Sequence, residues 1–276
     1  MLSFNTNQMA VTAQRSLWST TSALQVTNAR LASGLRINSA RDDPSGLAIS
    51  ERLLTQIRGT DMAMRNANDA ISRAQVGESA TGSLVDALQR MNELAVQASN
   101  GSLTSADRSL LEVEFDQLQD EVADLISNTA YGGVKLLDNA DNADIQVGPD
   151  AGQRVTLSNT DLSALASNVA SLSLADGTGA LATAANTALA TALDTATSAQ
   201  ASWGAAQNRF DAVVSNLESS SVILSIARGR IVDADMAAET ANQSRLLLLQ
   251  DSALAMLAQA NARPQSVLSL LLGLPS

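Results

Sequence analysis

Residues 203–231, WGAAQNRFDAVVSNLESSSVILSIARGRI, place a large apolar side chain at every seventh position: Trp203, Phe210, Leu217, Leu224 and Ile231. Leu189, Leu193 and Ala196 extend the pattern upstream. A period of seven held over this length predicts a long helix packed against others in coiled-coil fashion. The neighbouring sequence allows it, because residues 45–148 and 150–263 contain no proline and helices can run unbroken there. Two more stripes lie upstream, Leu84, Leu88, Met91, Ala95, Ala98 and Leu111, Phe115, Leu118, Val122, Leu125. Their alternating steps of three and four mark one apolar helix face each. The first resumes a run through Leu53, Ile57, Met64 and Ile71, with a register adjustment or slight break predicted at the glycines of residues 77–82. Thr104 with Asp107 predicts an N-terminal cap for the next helix. The link ASNGSLT at residues 98–104 is short and turn-rich, so the two helices it joins are expected to lie antiparallel.

Both ends of the chain are weaker. Leu17, Leu24 and Leu31 repeat at seven, but Thr and Asn occupy the intervening positions. Near the C-terminus Leu246, Leu249, Ala253, Leu257 and Ala260 form an apolar face, with Asp233 or Asp235 as its cap and Pro264 as its expected end. An apolar tail, residues 267–274, follows. Between the strong helices, YGG at 131–133 is expected to stop a helix, and IQVGPDAGQRVTL at 145–157 reads as a β-hairpin around a Gly/Pro turn. Residues 161–188, rich in Ala, Ser, Thr and Gly, predict a surface connection with some short helix. With the middle helices bundled antiparallel, both chain ends emerge together and the terminal helices can pair.

Composition fits this class and excludes others. The chain has 276 residues, no His and no Cys, and a formal net charge of −11. His-based catalysis, thiolate chemistry, Cys or His metal sites and disulfides are all removed. The large rings number six, namely Phe4, Trp18, Phe115, Tyr131, Trp203 and Phe210. That is few for a compact core of this size, but side-by-side Ala/Leu/Val helices need fewer. The acidic balance disfavours nucleic acid. No run approaches the ~18 apolar residues of a membrane span, and the N-terminus lacks a basic region before an apolar core. Residues 1–75 carry a net +3 and residues 101–150 a net −9, a split that suits self-association. The acidic pairs, such as Glu112/Asp116 and Asp120/Asp124, have the spacing of a solvated helix face. The aspartates between 138 and 150 lack the residue order of an EF-hand loop. No Ser has a partner base, so no catalytic constellation, metal site or cofactor site is found.

Several long segments resemble bacterial flagellin. SGLRINSARDDPSGLAIS at 33–50, TQIRG at 55–59, RNANDAISRAQ at 65–75 and LQRMNELAVQASNG at 88–101 resemble its N-terminal signature. GAAQNRF at 204–210, IVDADMAAE at 231–239 and MLAQANARPQSVLSLL at 256–271 resemble its C-terminal signature. The segment between the arms is short, as in a flagellin with little or no variable outer domain.

The resemblance implies a mainly α fold: an elongated antiparallel bundle of long helices with a small β-hairpin, its terminal helices pairing as a coiled coil. It implies a structural subunit, not an enzyme, that polymerises into the flagellar filament for motility. The alternative is the hook–filament junction protein of the same superfamily. The implied layout is an N-terminal inner-core helix (1–43), outer-core helices (44–136), hairpin and connection (137–185), an outer-core helix (186–230) and a C-terminal inner-core helix (231–276). Inner-core assembly then falls to Leu17, Leu24, Leu31, Leu246, Leu249 and Leu257. Outer-core packing falls to Phe115, Leu118, Val122, Trp203, Phe210, Leu217 and Leu224. Implied partners are further copies of the chain, the filament cap, hook-junction proteins and an export chaperone. The subunit is expected to leave the cell by the flagellar type III route without a cleaved signal. Arg90, Leu94, Gln97 and Glu114 match the family's contact with a vertebrate Toll-like receptor. Pro44 and Ser45 stand where the family has two alanines, Trp203 where an aliphatic residue is usual, and Gly229 where Ser is common.

Overall fold

A computed structural model describes residues 7–139, 141–176 and 178–273, with side chains for all of these except 263–272. Phe4, Leu274 and the side chains of the apolar run 267–272 therefore lie outside the described residues. The elements are α1 (Gln8–Ser33), α2 (Pro44–Ala98), α3 (Ser105–Asn128), β1 (Ala130–Tyr131), β2 (Val134–Lys135), β3 (Ala143–Gln146), β4 (Arg154–Leu157), α4 (Ser163–Ala170), α5 (Ala180–Val232) and α6 (Met236–Leu272). They fall into two compact units, Gln56–Val222 and the two ends, Met1–Thr55 with Ile223–Ser276.

In the Gln56–Val222 unit, α5 carries the expected heptad. Trp203, Phe210 and Leu217 are buried, and Ala182, Ala185, Leu189, Ala192, Ala196 and Ala199 continue the same line upstream. The facing line on α2 is Ala63, Ala67, Ala70, Ala74, Gly77, Thr81, Leu84, Leu88, Met91, Ala95 and Ala98. It alternates steps of four and three without interruption, so α2 is one helix and neither the register adjustment nor the break expected at 77–82 occurs. The expected upstream stripe of Leu53, Ile57, Met64 and Ile71 is only half-buried. The seam there is made of small residues, which let the partner backbone approach closely. The reason for Gly77 is direct: a Cβ at this position would lie 2.7 Å from the ring of Trp203. Gln207 donates to Glu78 at 2.6 Å and Ser221 to Asp61 at 3.3 Å, so α2 and α5 run antiparallel here.

Helix α3 returns along α2, as the short link predicted. Thr104 and Asp107 form a reciprocal capping box at its start, satisfying two N–H groups that the first turn leaves free. Phe115, Val122 and Ile126 are buried along its length. The turn before it is held by Arg108, which is 2% exposed. Its guanidinium donates to the carbonyls of Ala98 (2.7 Å), Asn100 (3.1 Å) and Asp176 (3.2 Å). The Ala98 carbonyl is one that the end of α2 leaves unpaired within the helix, where a cation is favoured.

Tyr131-Gly132-Gly133 does more than follow a helix end. α3 stops at Asn128, and β1 and β2 form a hairpin whose two loop residues, Gly132 and Gly133, have φ of 59° and 83°. A two-residue turn of this kind, with positive φ at both positions, is one that glycine supplies without strain. This hairpin was not expected from the sequence. The expected one is present as β3 and β4, pairing Ile145 with Val155 and Gln146 with Arg154 and starting earlier, at Ala143. Asn66 of α2 donates to the Gln146 carbonyl at 3.1 Å, and Arg73 to Asn159 at 3.1 Å. Pro149 fits over Gly59, where a Cβ would come within 2.7 Å of it. The segment 161–188 contains α4, with Leu165 and Val169 buried, and the first turns of α5. Gln119 of α3 donates to the carbonyls of Val169 (2.7 Å) and Leu172 (2.9 Å).

In the terminal unit, α1 and α6 pair antiparallel. Asn7 donates to the Ala260 carbonyl (2.8 Å), Gln243 to Asn28 (2.8 Å), and Arg30 faces Glu239 at 3.7 Å. Beyond the helix ends, Arg36 N–H donates to Val232 O and Ala234 N–H to Gly34 O. Gly34 ends α1 at φ 72°. Asp235, not Asp233, caps α6. The helix does not stop before Pro264 but continues to Leu272. One proline removes a single intrahelical hydrogen bond, and the Leu-rich run beyond it favours helix. Pro44 opens α2 as its first residue, with Asp43 accepting from the Ser45 and Gly46 amides. That is the helical position where proline fits best.

Candidate self-association surface

The expected inner-core residues fall into two groups. Leu17, Leu24 and Leu31 are half-buried on the α1 seam with Ala10, Ala13, Thr20 and Thr27 between them. The α6 seam runs through Glu239, Gln243, Leu246, Gln250, Ala253, Leu257 and Ala260. Leu249 is not on it. Stepping four and then three from Leu246 selects Gln250, and Leu249 stays 47% exposed. The seam is thus mostly small or polar and offers modest burial within one chain.

The apolar residues that complete these helices point elsewhere. Val11, Trp18 and Val26 form a second, exposed stripe on α1, with Trp18 at 79% exposure. On α6, Leu247, Leu248, Leu249, Leu254 and Met256 are likewise exposed. This explains why the ends look weakly patterned: on α1 the apolar residues are divided between two faces, and on α6 the exposed ones are spread around the helix, as consecutive Leu247, Leu248 and Leu249 must be. Large apolar side chains left exposed in this number mark an interaction surface.

The expected outer-core residues, all but Leu224, lie in the other unit. Phe115, Val122, Trp203, Phe210 and Leu217 are buried, while Leu118 and Leu224 are half-buried. The indole N–H of Trp203 is buried and has no hydrogen-bond partner among the described residues. The proposed receptor residues do not form one surface. Leu94 is 1% exposed and belongs to the core, because it shares the inward face of α2 with Met91 and Ala98. Arg90 and Glu114 are exposed and bonded to each other at 2.8 Å, with Glu93 also on Arg90 at 2.9 Å. Gln97 is exposed beside them.

Charge is arranged on exposed faces. Arg52, Arg58 and Arg65 are exposed on α2 and make no ion pair among the described residues. On α3, Asp116 is pushed above the usual carboxylate range by burial, then by the neighbouring Glu112 and Asp120 charges. Asp176 is held down to about 2 by hydrogen bonds from the Leu181 and Gly179 amides and the Thr178 hydroxyl at the start of α5. No group of acidic residues suited to a metal ion occurs among the described residues, and none of their helices is long and apolar enough to cross a membrane.

The fold and its surfaces define a helical-bundle protein whose working parts are packing faces. The model of the bacterial flagellin N-terminal helical region matches residues 4–142, and that of the C-terminal helical region matches residues 187–271. A flagellin of Halalkalibacterium halodurans is 40% identical over 97% of this chain and 98% of its own length. The crystal structure of Bacillus cereus flagellin matches with 32% identity and a TM-score of 0.51, covering 55% of this chain and 88% of that one. A putative flagellar hook-associated protein from Vibrio parahaemolyticus shares the fold at 17% identity and a TM-score of 0.58, covering 70% of this chain and 100% of that one. The chain belongs to the bacterial flagellin family.

Proposed function

We propose that the chain is the repeating subunit of a bacterial flagellar filament, assembling with copies of itself outside the cell. The carrying observation is the set of large apolar side chains on α1 and α6, Trp18 and Leu248 foremost, which the single chain leaves exposed. Neighbouring copies supply the missing cover, and contacts between unlike faces that never close into a ring generate an open helical polymer. In this reading residues 1–43 and 231–276 serve the inner layer of the filament and residues 44–136 and 186–230 the outer one. Ends with so little self-burial order fully only when subunits meet, which suits export through a narrow channel in an unfolded state.

Filament cap, hook-junction proteins and an export chaperone are the further partners of this reading. A vertebrate Toll-like receptor is one more, approached through Arg90, Gln97 and Glu114, with Leu94 contributing from below as packing. Electron microscopy of the purified chain under polymerising conditions tests the main reading. Long filaments of the chain alone are expected; a protein that forms none without a partner is a junction protein instead. Reporter cells exposed to monomer test the receptor contact, which a flat response at high dose rejects.

A further inference from the structure

Asn100 is the one asparagine in the sequence that glycine follows. The pair sits in the turn between α2 and α3, with Asn100 and Gly101 both exposed. We infer that Asn100 is a site of spontaneous deamidation in the folded chain, a covalent mark written by water alone. Three features of the turn carry this. The Gly101 N–H, which is the attacking group, donates to no acceptor among the described residues. The Asn100 side-chain carbonyl accepts from the Ser102 N–H at 3.1 Å, which polarises the carboxamide carbon for attack. No side chain at residue 101 shields that carbon. Other asparagines, Asn92 and Asn208 for example, lie inside helices, where the following N–H is held in the backbone ladder.

The Gly101 nitrogen gives its proton to solvent and forms a bond to Asn100 Cγ. The Cγ–Nδ2 bond breaks and ammonia leaves, closing a five-membered succinimide. Water then opens the ring at either carbonyl, yielding aspartate or isoaspartate. One water is consumed, one ammonia is released, and nothing is oxidised or reduced.

The site matters to its surroundings because the main-chain carbonyl of Asn100 accepts from Leu103 N–H and from buried Arg108. In the isoaspartate product that carbonyl becomes a free carboxylate and the chain runs one methylene longer through the former side chain. The α2–α3 turn then gains a negative charge directly against the Arg108 guanidinium.

The test is to incubate the folded full-length chain at mildly alkaline pH and map its peptides by mass over time. The expected result is a gain of about one dalton, confined at first to the peptide holding Asn100, with isoaspartate detected there by enzymatic methyl transfer; asparagine is among the chemically labile residues. Gly101→Ala is the control, since a Cβ at residue 101 meets nothing within 4 Å, and it is expected to abolish the early gain while the helical circular dichroism is unchanged. A second comparison uses the wild-type chain unfolded in urea. Gain appearing first at another asparagine, an undiminished gain in Gly101→Ala, or strong protection of Asn100 in the folded chain relative to urea each overturns the inference.

Discussion

Two residues show how much of this fold rests on single side chains. Gly77 clears the space that Trp203 fills, with a Cβ there only 2.7 Å from the ring. Alanine at 77 gains about 1 kcal/mol of helix propensity, but it meets a large ring that cannot fold away as a flexible side chain does. Overpacking of this kind costs about 1–3 kcal/mol, so Gly77→Ala is expected to lower the thermal midpoint. Trp203→Leu alone is expected to destabilise through the space it vacates. Combined with Gly77→Ala it should cost less than the two separately, a coupling that a double-mutant cycle measures. A strictly additive result shows that the two positions do not meet. Arg108 is the second case. Replacing it with Met keeps the stem but removes donors from three carbonyls, at an expected cost of about 3 kcal/mol in denaturant unfolding.

At the scale of elements, helix starts are set by short polar residues in chemically readable places. The box of Thr104 and Asp107 predicts a loss of about 1 kcal/mol for Thr104→Ala, to be read from urea unfolding against wild type. Asp176 plays the same part for α5, and its carboxyl lies at about 2 against an ordinary 3.8. A lowered folded-state value means the folded state favours the charged form. Its contribution is therefore complete above pH 3.8 and is lost as pH falls toward 2. Asp176→Asn is expected to flatten the acid side of the stability profile in that window, and an unchanged profile would remove Asp176 as its cause. The large-residue heptad, the Thr104 cap and the 145–157 hairpin are legible in sequence because each is local and uses strongly biased residue types. The small-residue half of the α2 seam was not, since Ala and Gly carry no periodic signal unless the partner Trp203 is known. The same holds for Arg108, whose acceptors are backbone carbonyls that no side-chain pattern reports. Gly132-Gly133 was readable, and reading it only as a helix stop missed its φ requirement.

The whole molecule combines one unit that buries its rings Phe115, Trp203 and Phe210 with another whose helices leave Trp18 and several leucines exposed. That contrast was visible in the sequence only as weak ends, because the seam residues and the exposed apolar residues lie on the same two helices. Assembly then has two physical terms, apolar cover for the terminal pair and electrostatic register along the other helices. The second term can be isolated. Arg52, Arg58 and Arg65 are exposed without an ion-pair partner among the described residues, and on α3 Asp116 is pushed upward by burial and then by the neighbouring Glu112 and Asp120 charges. Each set gains from an opposite charge on a neighbouring copy, at surface strength and subject to screening. Changing all three arginines to Gln removes the positive set while leaving the buried seams untouched. The triple variant is expected to fold normally by circular dichroism and to polymerise more slowly at low salt. Wild-type assembly is expected to slow as salt is raised toward 1 M, where the Debye length shrinks to about 3 Å, while the variant changes little. Equal rates for the two proteins, with the same dependence on salt, would assign the register to apolar packing alone.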